Sequence, residues 1–202
     1  MPERLVVTDR PAAESNPTRD RILDAAARRL QNAPLDELTM SGVARTAGVS
    51  RQTMYEYFRD RDDLIASVFI AVAEERLVPR RARILDSDLS GDGLERVFWA
   101  DIEASRAFFD VASDSTVRFG VAEFMLRSTR IREYEETMWL AVLERLAGAG
   151  TLAEGLVLSE VAHWLSYQQT CLVALPDGID EEEAVVRHRI RRFVIDPLLR
   201  RT

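Results

Sequence analysis

The stretch AGVSRQTMYEYF, residues 47 to 58, gathers the side chains best suited to recognition chemistry. Arg51 and Gln52 are long hydrogen-bond donors at the start of a short helix, followed by Thr53, Tyr55 and Tyr57. Gln pairs bidentately with adenine and Arg with guanine on the floor of a major groove, and Thr can donate or pack on a thymine methyl. Tyrosine hydroxyls suit phosphate oxygens. Met54 and Phe58, four residues apart, fall on the opposite, apolar face. The chemistry implied is the reading of double-stranded DNA from one short helix.

No other constellation competes. Glu160 and His163 form an E-x-x-H pair, half of the motif that binds a di-iron centre in a helical bundle. Val185 stands three residues before His188, so the second copy is missing. Cys171, His163 and His188 have no local metal-ligand spacing. Neither a nucleophile elbow nor a phosphate-cradling glycine loop occurs. The expectation is a protein that is not an enzyme, with no catalytic residue, metal or cofactor.

The composition is that of an ordinary globular protein, with 47% hydrophobic and 30% charged residues in 202. All 27 basic residues are arginine, which reads as a codon bias. The net charge of −7 is not that of a generally basic DNA binder, but phosphate binding needs a local basic face and not a basic protein. The acid excess lies mostly after residue 64. A single cysteine, no signal peptide and no apolar run of membrane length point to the cytoplasm, with no membrane partner.

The elements that must position the short helix can be read from caps and breakers. Residues 1–17 carry three prolines and read as a mobile arm. Thr18 is read as the cap of a first helix, with Ile22, Leu23, Ala26 and Leu30 inward, stopped by Pro34. Thr39 caps a second helix, Gly48 turns the chain, and Ser50 caps the third. A fourth helix starts near Asp62, and Pro79 is expected to end or kink it. Five more helices follow, over about 94–111, 116–126, 131–146 and 153–175, and then from the acidic run IDEEE to the C-terminal arginines. The chain is expected to be all-α with about nine helices. The expected organisation is an arm (1–17), a helix-turn-helix DNA-binding domain (18–64) and a helical domain (65–202), to which the family resemblance given below adds ligand binding and dimerisation. The free N–H groups at the starts of the two short helices, around Thr39, Ser41 and Ser50, favour phosphate.

The segments TRDRILDAAARRL and LTMSGVARTAGVSRQTMYEYFRDRDDLI resemble the N-terminal domain of the tetracycline-repressor (TetR) family over about residues 18 to 66. Ile22-Leu23, Thr39, Val43-Ala44, Ala47 to Ser50, Thr53, Tyr55, Tyr57-Phe58 and Leu64 fall in the family order. Arg61 replaces a usual lysine and keeps its charge as a phosphate partner. Gln52 stands where a small residue is usual, and an added base contact is expected. Gly42 stands where a larger one is common, and a looser second helix is expected. The resemblance implies a bacterial homodimer that represses transcription from a palindromic operator and lets go when a small molecule binds. An activator, or a regulator without an effector, is the alternative on the same fold.

On that reading the eighth helix carries two apolar stripes and is sandwiched between partners. The dimer interface is expected from Leu158, Val161, Ala162, Leu165 and Leu172, together with Val186, Ile190, Phe193 and Val194 in the last helix. The pocket for an apolar or amphipathic effector is expected from Trp99, Phe119, Glu123, Met138, Trp139, His163, Trp164, Tyr167 and Cys171. Arg76, Arg80, Arg81 and Arg83 are read as a solvated face, since Arg81 lies about 25 Å beyond Leu64 along a helix.

Overall fold

The structure is a computed structural model that describes residues 16–109, 115–174 and 183–200. Most of the expected N-terminal arm, the ends of the helices expected over 94–111 and 153–175 and the start of the last expected helix lie outside these residues. Among the described residues the chain is all-α, with nine α-helices and no strand. They are α1 (Pro17–Asn32), α2 (Met40–Ala47), α3 (Arg51–Tyr57), α4 (Arg61–Ser87), α5 (Gly91–Phe109), α6 (Ser115–Arg127), α7 (Thr129–Gly148), α8 (Leu158–Ala174) and α9 (Glu183–Ile190).

Local chemistry sets most of these boundaries. Asn16, and not Thr18, caps α1: its Oδ1 accepts from the N–H groups of Thr18 and Arg19 at 3.2 Å. Pro17 then takes the first helical position, where its missing N–H costs nothing. Thr39 and Ser50 cap α2 and α3 as expected, accepting from Gly42 and Thr53. Between them Gly48 adopts φ 67°, the left-handed conformation that closes the turn. Gly42 lies in the first turn of α2. A Cβ there would sit 2.9 Å from Thr39 Oγ1 and 3.4 Å from the Arg29 guanidinium, so the glycine lets the cap and the arginine close on the helix start.

Three further expectations are corrected. Pro79 does not end α4, which runs through it for 27 residues. Arg80 and Arg81, just beyond the proline, bond to Ala100 O, Glu103 and Asp101 of α5. Of the arginines read as a solvated face, Arg83 is exposed and Arg80 and Arg76 are half-buried, but Arg81 is buried against Asp101; Arg80 pairs with Glu103 at 2.9 Å. Helix α8 begins at Leu158, later than expected, because Gly150 and Gly155 take positive φ in a loop before it. Beyond α9 the chain continues as a π-helical turn (Arg191–Ile195) and a 3₁₀ turn (Asp196–Leu198). Arg191 pins this end through Asp92, Glu95 and Asp196 at 2.6 to 2.8 Å. A lone antiparallel bridge, with Arg200 N–H on Thr151 O and Ala153 N–H on Leu198 O at 2.9 Å, ties it to the loop before α8.

Helix α4 joins everything. Its residues 64 to 69 are all buried, so at that point it is enclosed on every side. Its start packs on α1, and its length packs on α5 and α7. Arg130 of α7 adds a polar tie, donating to the Asp63 carboxylate and to Ser67 Oγ.

Candidate nucleic-acid interface and internal cavity

Met54 and Phe58 are buried in the same hydrophobic core as Ile22 and Leu23 of α1 and Leu64 and Ile65 of α4, which anchors α3 by its apolar face. The rest of α3 is thereby turned outward. Arg51, Gln52 and Tyr55 are exposed. The Arg51 guanidinium lies over the Tyr55 ring at 5.7 Å, and Gln52 Nε2 donates to Glu56 Oε1 at 3.3 Å. Neither contact buries the groups, so both side chains can exchange them for base edges. Thr53 and Tyr57 are half-buried. The Thr53 hydroxyl bonds Ser50 Oγ at 2.9 Å, and Tyr57 packs beside Phe58. Ser41 and Arg45, one turn apart on α2, are both exposed. Arg45 was not singled out from the sequence; its position four residues after Ser41 was the available signal.

Arg61 is held differently from a free phosphate arm. Its Nε donates to Leu38 O at 2.9 Å and its Nη2 to Leu35 O, and Asp62 and Asp36 lie beside it. In this structure it clamps the turn before α2.

The larger helices enclose a cavity. Its apolar wall includes Phe69, Val72 and Leu77 of α4, Ile102 of α5, Met125 of α6 and Met138 of α7. One end is polar. Arg81 and Asp101 form a buried ion pair in which Asp101 Oδ2 accepts from Arg81 Nε at 2.8 Å and Nη2 at 2.5 Å. Gln169 Nε2 reaches the same oxygen at 3.4 Å and Phe98 O at 2.9 Å. Burial pushes the Asp101 pKa up, against the pull of Arg81. Glu135 accepts from Ser166 Oγ, and burial raises its pKa to about 7. The cavity volume is about 80 Å³. Filled ligand sites span about 300–1,000 Å³, so a sizeable guest must part the helices.

Of the residues expected to line a pocket, Met138 does so. Trp139 is fully buried behind the wall, its Nε1 donating to Gln169 Oε1 at 2.9 Å and its ring 4.9 Å from the Arg81 guanidinium. Trp99 packs under Arg187 at 4.4 Å, in a separate groove with Arg80 and Glu103. Glu123 is exposed, and the Phe119 side chain lies outside the described residues. His163, Trp164 and Tyr167 are exposed and Cys171 is half-buried; none of the four lines the cavity. His163 Nδ1 bonds Glu136 at 2.6 Å. The groups that do carry polarity into the cavity, Arg81, Asp101, Glu135 and Gln169, were missed. The signal was charge or amide within apolar surroundings, as in FWADI around Asp101.

The two faces of α8 are also reversed. Ala162 and Leu165, expected at a dimer interface, are fully buried within the chain, and Leu158, Val161 and Leu172 pack against the same core. Ile190 and Val194 are buried too, and Val186 packs on the core. Outward-facing instead is Trp164 (50% exposed), stacked on Tyr167 (44%); of the expected interface residues, Phe193 (72%) does face outward. Helical periodicity finds two stripes but cannot say which one meets a partner; Gln169, bonded to Trp139 and Phe98, marks the inward one.

A capped helix-turn-helix carried on a helical body with an internal cavity defines a class of DNA-binding regulator. The family model described as bacterial regulatory proteins, tetR family, matches residues 22–68. HTH-type transcriptional regulator AlkX of Mycobacterium tuberculosis is 34% identical over 100 residues, 49% of this chain and 44% of that protein. The chain thus spans less than half the length of this curated relative. The transcriptional repressor QsdR of R. erythropolis has the same fold over 95% of this chain and 99% of its own, with a TM-score of 0.67 at 18% identity. The regulator FadR of Bacillus subtilis, solved in complex with stearoyl-CoA, matches over 88% of this chain and 98% of its own, with a TM-score of 0.58 at 16% identity. Residues 22–68 thus match the tetR family of bacterial regulatory proteins, and the described chain shares its fold with solved repressors of that family. No helix among the described residues is long and apolar enough to cross a membrane.

Proposed function

We propose that the protein is a cytoplasmic transcriptional repressor that binds a palindromic operator as a homodimer and is released by a small apolar or amphipathic molecule. The observation that carries this reading is α3: a capped helix anchored by Met54 and Phe58, with Arg51, Gln52 and Tyr55 held outward. Two such helices about one DNA turn apart read successive major grooves. Ser41, Arg45, Ser50 and the N–H groups at the helix starts serve the phosphates. The dimer contact is assigned to the exposed Trp164, Tyr167 and Phe193, apolar surface that a second copy would cover.

The effector is assigned to the cavity. The stearoyl-CoA of the FadR complex supports an amphipathic guest. Since α4 is buried in the head at Leu64 and Ile65 and lines the cavity from Phe69 to Arg81, a guest that parts the helices displaces α4. That movement carries the head and changes the spacing of the paired α3 helices. The guest drives it only through its higher affinity for the displaced state.

The test is titration of the full chain into labelled DNA from its own upstream region, by anisotropy at several salt concentrations, against a scrambled duplex. Saturable, salt-sensitive preference for the native sequence is expected, weakened in Gln52→Ala and Tyr55→Ala. Equal affinity for both duplexes across selected genomic fragments contradicts the reading.

A further inference from the structure

Two buried polar atoms beside the cavity lack a hydrogen-bond partner. Asp101 Oδ2 is saturated by Arg81 and Gln169, yet Asp101 Oδ1 is buried with no hydrogen-bond partner. Arg81 Nη1 is likewise buried and unpartnered. Both side chains are more than nine-tenths buried, and both residues line the cavity. A buried polar atom left unpaired costs more than the pair it lacks would contribute, so a guest that supplies partners here gains affinity.

The two atoms are one donor and one acceptor. Arg81 Nη1 needs an acceptor; Asp101 Oδ1, in the ion pair, needs a donor. The surroundings hold no surplus positive charge at this end. Arg81 is neutralised by Asp101, and Glu135 adds a second carboxyl group nearby, while Arg76 lies farther along α4 on the same cavity. A carboxylate head would satisfy Arg81 but oppose Asp101. An ammonium head would do the reverse, satisfying Asp101 and opposing Arg81.

Resting on the proposed role of the cavity as the effector site, we propose that the effector is an uncharged amphiphile whose head sets a carbonyl acceptor beside an N–H or O–H donor, as a carboxamide does. The carbonyl accepts from Arg81 Nη1 and the N–H donates to Asp101 Oδ1. The tail lies along Phe69, Val72, Leu77, Met125 and Met138. Fatty-acid anions of the same tail are discriminated against.

The experiment is direct calorimetric binding to the full chain, without DNA, of four probes with one tail: decanamide, N,N-dimethyldecanamide, decanoate and decylamine. Decanamide is expected to bind about tenfold or more tighter than each of the others, the worth of a hydrogen bond to a charged group. In Arg81→Met/Asp101→Leu the four should bind alike. The dimethyl probe removes the donor on the ligand side, so the comparison stands even where that variant fails to fold. The inference is overturned if decanoate or decylamine matches decanamide, if the preference survives in the folded double variant, or if no amide of eight to twelve carbons binds. None of these outcomes bears on operator binding, which the ligand-free titration decides by itself.

Discussion

Helices α3 and α8 are both amphipathic, yet they place their residues by different rules. Helix α3 has one apolar face and one polar face, so burying Met54 forces Arg51, Gln52 and Tyr55 outward. Helix α8 is apolar on two sides, and its orientation is decided by partners elsewhere in the chain: Trp139, Phe98 and Asp101 draw Gln169 inward and leave Trp164 and Tyr167 outside. A helix with one hydrophobic face carries its own address, whereas a helix with two needs the rest of the molecule to supply it.

The largest expected effect breaks the simpler of the two. Phe58→Ala removes a fully buried ring that anchors the end of α3, at a cost of about 3–5 kcal/mol. Chemical denaturation should show that loss, and operator binding should vanish with it. A variant that still binds the operator at wild-type affinity would mean that α3 is held by something other than its apolar face.

The second effect is of similar size and lies in the body. Asp101→Ala leaves Arg81 buried without its partner and should cost about 3–5 kcal/mol. Arg81→Met/Asp101→Leu should recover most of that stability, because a well-packed apolar pair replaces a buried ion pair at little cost. A double variant as unstable as the single one would show that the pair holds α4 to α5 by more than charge compensation.

A smaller effect is a pH dependence. Glu135 has its pKa raised by burial from 4.5 to about 7, so the folded state holds a proton that the unfolded chain has already released. Its contribution to stability is therefore largest below about pH 4.5, falls as pH rises to about 7 and is level above it. Thermal melts of Glu135→Gln should lack this decline relative to wild type; parallel pH profiles would place the carboxyl in contact with water. Smallest is Ser50→Ala, which removes the cap of α3 for about 1 kcal/mol. Calorimetry should detect it, with a matching modest loss of operator affinity.

What was legible in the sequence follows the same division. The caps Thr39 and Ser50, the turn at Gly48 and the inward Met54 and Phe58 are local, set by residues within one turn of each other. Asn16 displaced Thr18 as a cap because Pro17 prefers the first helical position, also a local fact but a subtler one. The burial of Arg81 and the orientation of α8 depend on contacts across some twenty to seventy residues, which no periodicity contains. Arg61 shows the limit within the head itself: its charge is plain in the sequence, but its capture by Leu35 O and Leu38 O is not.

The most direct measurement is amide hydrogen exchange of the full chain with and without its operator. Slower exchange at the starts of α2 and α3, residues 40 to 43 and 51 to 54, is predicted, with the amides facing the cavity in α5 and α7 left unchanged by DNA alone. Operator binding with exchange unaltered at both helix starts would contradict the account, because the reading helix would then lie elsewhere.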